Sequence, residues 1–299
     1  MQLGIATIER WLPALLKDPP PAYAFELSEA GVELATVSSS PQFRFEALEP
    51  GVISTSPVRE NIQQPELLQA KIQALAPANG HRKRRAALIL PDYCARVTVL
   101  DFDAFPSSHE EQLALVRFRM KKSVPFDVDS AMVSYHAQPS EAGKIEVVVA
   151  VMACEIIARY EAPFRQLGIH PGYITTSSLA ALNLLKADRV TIVAKLSGRT
   201  LTVLVLDGGV VKLARCVEME GARQEEIDST LHPTLAYIED ELQTKAARLV
   251  HCGFGADAQE LAERWHQEWG VAVEPLKSRF GAPGENNAGL LGYLESVAG

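Results

Sequence analysis

A glycine-rich turn near the C-terminal end of the chain carries the residue types best suited to ligand chemistry. Gly253, Gly255 and Ala258 fit the pattern GxGxx(G/A) between a predicted strand and a predicted helix, and Glu274 ends the next predicted strand about 20 residues on. In dinucleotide-binding proteins such glycines let backbone amides approach a phosphate, which the helix N-terminus attracts. Such a unit normally opens a larger domain, whereas only residues 275–299 follow Glu274. We therefore favour a tightly packed turn, or one that contacts an adenosine, over a dinucleotide site.

The other polar residues predict no catalytic centre and no metal centre. The sequence contains no GxSxG, no P-loop, no Cys/His pair in a nucleophile context, and no HxH or HxxxH pair. Asp101 and Asp103 flank the end of a predicted strand, and residues 239–241 form an acidic, solvated helix face. Nothing in the sequence therefore requires catalysis.

The composition is that of a globular protein long enough for two domains, with 299 residues of which 47% are hydrophobic and 22% charged. The net charge of −8 disfavours nucleic acid as a partner. The basic run at residues 81–85 is interpreted as a solvated loop in preference to a contact with anionic lipid. No apolar run approaches the roughly 20 residues of a membrane span. The scattered cysteines form no CxxC pair, which predicts reduced core thiols in a cytoplasmic protein.

The hydrophobic pattern predicts two groups of elements, and each group opens with a hairpin. In the first group we expect strands at residues 24–27, 32–37, 43–48, 86–90, 97–100 and 144–152, and helices at residues 66–75, 156–167 and 176–186. In the second group we expect strands at residues 191–196, 200–206, 210–216, 247–252 and 271–276, and helices at residues 225–244, 257–268 and 287–297. Pro163 is expected to kink or split its helix, Pro233 to break its own, and Gly168 to cap the end of the helix before it.

Residues 101–136 contain a further helix with a strongly polarised charge pattern. Ser107 and Ser108 precede Glu110 and Glu111 at the spacing of a capping box, and basic residues crowd the other end. Pro125 ends this helix. The residues expected on its apolar face are Leu113, Val116 and Met120, widened by Ala114 and Phe118.

A short amphipathic helix is also expected at residues 5–16, before the proline spacer at residues 19–21. It carries little positive charge, so we favour packing on the body of the protein over a position on a membrane surface. Because the order of hairpin, strand and helix occurs twice, the sequence predicts a duplicated α/β fold. A short internal sequence similarity supports this duplication: Glu26-Leu27-Ser28 in the first hairpin corresponds to Lys195-Leu196-Ser197 in the second.

In this order, the motifs resemble those of the PilM family of type IV pilus assembly proteins, an actin-like family related to FtsA. The resemblance covers nearly the whole chain after Pro21. It lies in a first phosphate hairpin at residues 24–37, a strand pair at 86–102 with Pro91, a helix, Pro-Phe corner and following strand at 112–136, a second phosphate hairpin at 191–221, an adenosine loop at 249–276, and a final helix at 286–297.

The resemblance implies the duplicated, two-lobed actin-like fold shared by actin, hsp70 and sugar-kinase ATPases, with an inserted small subdomain. The expected boundaries are an N-terminal helix and spacer at residues 1–21, a first lobe at 22–188 with the insert at about 93–170, a second lobe at 189–285, and a C-terminal helix at 286–299 that returns to the first lobe.

The chain departs from the family at the nucleotide site. Members that bind ATP carry Asp-x-Gly in each phosphate hairpin, where Asp serves the metal-water shell and Gly lets backbone amides reach the phosphate. Here the positions read Glu26-Leu27-Ser28 and Lys195-Leu196-Ser197, or Ala194-Lys195-Leu196 if the second hairpin shifts by one residue. Glu33 stands where the family has a basic residue, and only Gly253 and Gly255 remain. We therefore predict weak or absent binding of ATP with magnesium, no hydrolysis and no cofactor.

For function, the resemblance implies a non-enzymatic scaffold of a type IV pilus or related secretion machine, peripheral at the inner membrane. Its expected partners are the short cytoplasmic tail of an inner-membrane PilN-like protein and other pilus machine components. In that family the tail binds a groove between the main lobe and the inserted subdomain. We expect Phe118, Val124, Pro125 and Phe126 to line or shape this groove; the alternative is that they are subdomain core.

Two other functions stay open at this stage. One is an actin-like ATPase or sugar-kinase-like enzyme, against which the lost Asp-x-Gly motifs argue. The other is an FtsA-like membrane-associated polymer, for which the helix at residues 5–16 would be the anchor. The sequence leaves self-association open.

Overall fold

The computed structural model describes residues 20–77, 84–138, 143–221 and 224–297. The predicted helix at residues 5–16 and the first part of the basic run at residues 81–85 lie outside the described residues. The chain separates into two compact units. The first unit contains the residues up to Asp92, then Glu155–Lys186 and the chain from Leu276 onward; the second contains Tyr93–Cys154 and Ala187–Pro275. The domain boundaries implied by the resemblance stay predictions.

The first unit is built on a five-stranded sheet. The strands are β1 (Tyr23–Leu27), β2 (Gly31–Thr36), β3 (Phe43–Ala47), β4 (Arg84–Leu90) and β8 (Ile169–Thr176), and the helices are α1 (Pro65–Leu75), α3 (Cys154–Gln166), α4 (Ser177–Ala181) and α7 (Ala288–Val297). The strand order is β3-β2-β1-β4-β8. β1 pairs antiparallel with β2 and β2 with β3, whereas β1 and β4, and β4 and β8, run parallel.

The second unit contains a sheet with the same arrangement. Its elements are β9 (Thr191–Ser197), β10 (Thr200–Asp207), β11 (Val210–Glu218), β12 (Arg248–Cys252), β13 (Ala272–Pro275), α5 (Gln224–Asp240) and α6 (Ala258–Trp269). The strand order is β11-β10-β9-β12-β13. The hairpin strands β9, β10 and β11 are antiparallel, and β9, β12 and β13 run parallel. Since the strands follow the same order in both sheets, with the same directions, the predicted duplication is confirmed.

The second unit also contains the insert, which comprises β5 (Arg96–Phe102), α2 (His109–Met120), a 3₁₀ turn (Val128–Ser130), β6 (Ala131–Ala137) and β7 (Ile145–Ala153). Its strands form a separate three-stranded antiparallel sheet, β5-β7-β6, with α2 packed on it. Val147, Val149 and Val151 alternate along β7 on the face that lies under the helix, as expected for a sheet covered on one side.

The last helix packs very closely in the first unit. All residues of α7 from Ala288 to Leu294 are buried, and the helix lies against α4 and β1. A Cβ added at Gly292 would lie 2.1 Å from the carbonyl oxygen of Ala180. The glycine is therefore needed for the close approach of the two helices.

Several elements differ from the sequence-based expectations. β8 was not expected; Pro171 and Gly172 interrupt its pattern, and the register with β4 shifts at Ala86 and Ala87. The helix expected at residues 176–186 is short, because α4 ends at Ala181 and a 3₁₀ turn follows at Leu182–Leu184. Pro163 does not split α3, and Pro233 does not break α5, because the buried residues before and after each proline hold both halves of the helix in the core.

The cap of α2 also differs from the expected capping box. Ser108 is the N-cap residue, but its side chain makes no capping hydrogen bond; its carbonyl oxygen accepts from the amide of Gln112 at 2.9 Å. Val116 and Met120 are buried as expected. Leu115, and not Leu113 or Phe118, joins them against the core. The buried face of α2 is therefore turned toward Leu115, which leaves Phe118 outside.

Candidate functional site

The first phosphate-hairpin position is closed by its own side chains. The backbone amide of Ser28 donates to the carbonyl oxygen of Gly31 at 2.9 Å, and the Ser28 hydroxyl both accepts from the Gly31 amide at 3.1 Å and donates to the Gly31 carbonyl at 3.2 Å. The Glu29 carboxylate accepts from the amide and the hydroxyl of Thr55 at 2.8 and 3.0 Å. This turn is braced by protein groups where the family has a glycine.

Glu26 has become a structural carboxylate. It is buried, with 2% of its surface exposed. One of its oxygens accepts from the Ser177 hydroxyl, and the other accepts from the backbone amide of Leu290, in the first turn of α7, at 2.6 Å. A carboxylate at a helix N-terminus satisfies a free amide and complements the helix dipole. Glu26 therefore joins β1 to α4 and α7 through hydrogen bonds.

Glu33 adds a second carboxyl group beside Glu26. The two residues are direct partners across the antiparallel β1–β2 pair. Burial, and then the nearby charge of Glu26, raise the pKa of Glu33 to about 7. Two carboxyl groups at this hairpin disfavour a polyphosphate ligand, which is itself an anion.

The register of the two hairpins settles which residues correspond. A two-residue turn joins Ser28 to Gly31 in the first hairpin and Ser197 to Thr200 in the second. Ser28 thus matches Ser197, and Glu26 matches Lys195. The alternative with the second hairpin shifted by one residue does not hold. Lys195 is buried, with 2% of its surface exposed, and Ser197 is half-buried at the strand end.

The glycine-rich turn is tightly packed, as expected. Gly253 follows β12 with a φ of +84°, and a Cβ at this position would lie 1.8 Å from the carbonyl oxygen of Leu196 in β9. Lys195 lies beside Cys252 in the parallel β9–β12 pair, so the structure brings Lys195 and Gly253 to the same sheet edge. Gly255, with a φ of +55°, opens the 3₁₀ turn Gly255–Asp257 before α6.

Glu274 does not have the role of the dinucleotide fingerprint acid. It lies on β13, and its carboxylate accepts from Arg248 of the neighbouring strand β12 at 2.8 Å. An ion pair within the sheet accounts for this acid. In the first unit, Glu26 and Ser28 form hydrogen bonds within the protein, and Glu33 lies beside Glu26.

The second candidate site is the insert, where α2 is fastened to its sheet at both ends. Near its C-terminus the Arg117 guanidinium donates to the carbonyl oxygens of Val128 and, at 3.1 Å, Ala131. Lys121 forms an ion pair with Asp129 at 3.0 Å. These contacts tie the last turns of α2 to the start of β6.

The first turn of α2 is held by a hydrogen-bonded tyrosine. The side-chain nitrogen of Gln112 donates to the carbonyl oxygen of Pro106 at 2.6 Å. This orients the side-chain oxygen of Gln112 toward the Tyr135 hydroxyl, which donates to it at 2.8 Å. Because this hydroxyl donates to Gln112, Nδ1 of His109, 2.6 Å away, must be the donor in their contact. The insert helix is therefore rigidly placed on β6.

The four expected groove residues divide into two environments. Val124 and Phe126 are half-buried and pack against the insert core, with Pro125 exposed between them. Phe118 does not belong to that core, and 72% of its surface is exposed. The corner at Val124–Phe126 thus shapes the insert surface, and Phe118 projects from it.

Two polar contacts at the insert gave no signal in the sequence. The side-chain amide of Gln138 is buried; it donates to the carbonyl oxygen of Val211 and accepts from the Val211 amide, both at 2.8 Å. Lys212 forms an ion pair with Glu146 at 2.7 Å. These contacts anchor the insert strands to β11, and a single Gln at a strand end does not reveal such a role beforehand.

The described ranges also bear on metals, membranes and thiols. Among the described residues no group of three His, Cys, Asp or Glu side chains is suited to hold a metal ion. No helix in these same ranges is both long and apolar enough to cross a membrane. Cys94 and Cys252 are buried as expected, Cys216 is half-buried, and Cys154 is exposed because it begins α3 at the surface.

Comparisons with known proteins support the fold. No family model and no curated protein matches the chain. Among solved structures, the chain is similar to one described as the PilM-PilN type IV pilus biogenesis complex, with 18% identity, a TM-score of 0.72, and coverage of 94% of this chain and 100% of that one. It is also similar to a Bacteroides thetaiotaomicron protein with an actin-like ATPase fold and unknown function, with 12% identity, a TM-score of 0.51, and coverage of 94% and 98%. The chain therefore has the actin-like ATPase fold, and its resemblance to PilM is confirmed at the level of the fold.

Proposed function

We propose that the chain is a non-enzymatic scaffold that binds the short cytoplasmic tail of a PilN-like inner-membrane protein. The observation that carries the proposal is the full-length likeness to the structure of a PilM-PilN complex. In this proposal the protein works on the cytoplasmic side of a type IV pilus or related secretion machine, held at the inner membrane by its partner.

The chemistry of the first phosphate hairpin supports a role without ATP hydrolysis. Glu26 is committed to Ser177 and Leu290, and the Ser28 hydroxyl is committed to Gly31. Neither side chain is arranged to order metal-bound water or to clear space for a phosphate. In a protein whose nucleotide chemistry is weak or absent, contact with other proteins is the function that the fold retains.

For the tail, we propose a surface formed at the corner Val124–Phe126, as expected from the sequence. The corner follows a helix that is fixed to β6 by Arg117, so its shape is defined before a ligand arrives. Pro125 is exposed there, and the half-buried rings and methyl groups on each side offer apolar contact. Phe118 stays a candidate for this surface on the sequence prediction alone.

A peptide titration tests this assignment. The probe is a synthetic peptide with the N-terminal cytoplasmic sequence of a PilN-like inner-membrane protein. We expect Pro125→Ala and Phe126→Ala each to weaken binding about tenfold, because a central apolar anchor contributes more than about 1 kcal/mol. Phe45→Ala, which removes an exposed ring from β3 of the first unit, is the matched control.

Since Phe126 also contacts the insert core, its variant needs a check of folding by circular dichroism. Pro125 is exposed and gives the cleaner result. Unchanged affinity for the Pro125 variant and for a folded Phe126 variant would remove this corner from the proposed binding surface.

A further inference from the structure

The outer face of α2 presents an aromatic ring among basic side chains. Phe118 is the most exposed of the large hydrophobic side chains in the described residues, at 72%. Arg119 flanks it within α2, and Lys121 and Lys122 follow in the turn directly after the last helical residue, Met120. Arg119, Lys121 and Lys122 are exposed. We call these four residues the α2 patch.

We propose that the α2 patch contacts the surface of an anionic phospholipid bilayer. A ring that projects from a helix, surrounded by basic side chains, matches the arrangement by which proteins rest on anionic lipid: the ring enters the acyl boundary, and the cations meet the headgroups. The patch is positive although the whole chain has a net charge of −8.

The contacts around the patch define how strong this interaction can be. Lys121 is paired with Asp129 at 3.0 Å, and the Arg119 guanidinium lies 5.2 Å from the centroid of the Phe102 ring. Among the described residues, no side chain forms an ion pair or hydrogen bond with Lys122. Lys122 is therefore the cation near Phe118 that is most available to a lipid headgroup. One ring and two or three cations give a weak interaction, which is detected on its own at high lipid concentration and serves mainly to orient a protein already held at a membrane.

The arrangement is rigid, which favours a surface role over a chance exposure. Arg117 and Tyr135 fix the two ends of α2 to β6, so the ring of Phe118 is held outward at no further cost in backbone entropy. A single exposed apolar side chain is common on protein surfaces, so it is the basic residues beside Phe118 that point to a ligand. The proposal does not depend on tail binding at Val124–Phe126.

Vesicle flotation of the full chain tests the proposal. We expect binding to vesicles of phosphatidylethanolamine with phosphatidylglycerol, weaker binding at high salt, and no binding to phosphatidylcholine alone. Phe118→Ser should weaken binding about tenfold, and Lys122→Gln about fivefold, whereas Phe118→Trp should retain it because Trp suits the membrane interface. Leu67→Ser, which changes an exposed apolar side chain on α1, is the matched control.

A second series separates the α2 patch from residues 5–16, whose sequence pattern is also amphipathic. The same variants are made with Leu12→Glu, which places a charge on the apolar side of that pattern. The proposal is overturned if Phe118→Ser and Lys122→Gln leave vesicle binding unchanged in both series. The proposal is equally overturned if Phe118→Ser weakens binding of the tail peptide in solution but leaves vesicle binding unchanged. The ring would then belong to a protein interface.

Discussion

At the scale of single residues, the first hairpin illustrates how a binding position can become part of the core. Glu26 stands where ATP-binding members of the family that the sequence resembles have Asp, and its carboxylate accepts from Leu290 and Ser177. The substitution was visible in the sequence, but this use was not, because its partners lie 264 and 151 residues away along the chain. A residue's loss of one role can be predicted locally; its new role depends on the tertiary structure.

Glu33 provides a prediction about pH. The pKa of its carboxyl group is raised from 4.5 to about 7, so between these values the folded protein keeps a proton that the unfolded chain has released. The free energy of unfolding therefore falls as the pH rises through this range and levels off above it. Because Glu33 is only half-buried, we expect this loss to be about 1 kcal/mol.

Glu33→Gln should remove the effect, since Gln stays neutral. Differential scanning calorimetry should show a higher Tm for the variant at pH 8 and little difference at pH 5, where Glu33 of the folded protein is already protonated. Glu49→Gln, at an exposed position after β3, is the control. An equal change in Tm at both pH values would contradict the assignment.

At the scale of elements, the hairpins, the central strands and most helices followed from period and turn residues. β8 did not, because Pro171 and Gly172 disturb its alternation and its place beside β4 is a tertiary matter. The orientation of α2 was also missed: the sequence analysis placed Leu113 and Phe118 on the apolar face, whereas Leu115 packs against the β5-β7-β6 sheet. This rotation decides that Phe118 is exposed.

The contact between α7 and α4 provides a prediction of stability. In an isolated helix Gly→Ala is favourable by about 1 kcal/mol. At Gly292 the added methyl group would meet the Ala180 carbonyl at 2.1 Å, so the two helices must separate. We expect Gly292→Ala to lower the free energy of unfolding by at least about 2 kcal/mol.

Chemical denaturation followed by circular dichroism measures this change. Gly284→Ala serves as the control, because a Cβ there lies 3.7 Å from its nearest neighbour and is in ordinary contact. If Gly292→Ala is neutral or stabilising, the close approach of α7 to α4 is not as described.

At the scale of the whole molecule, duplication is the feature that the sequence predicted and the structure confirms. The strand orders β3-β2-β1-β4-β8 and β11-β10-β9-β12-β13 are the same, with the same directions. Because the two sheets share this topology, their residues can be compared position by position. Glu26 of the first sheet and Lys195 of the second occupy matching positions and are of opposite charge type. An actin-like fold with these substitutions is, in our proposal, a scaffold.

Calorimetric titration of the full chain with two ligands tests that central claim most directly. One ligand is ATP with magnesium, and the other is the cytoplasmic tail peptide of a PilN-like inner-membrane protein. The proposal predicts saturable binding of the peptide at one site per chain and no saturable heat with ATP. Saturable binding of ATP, together with no binding of the peptide, would contradict it.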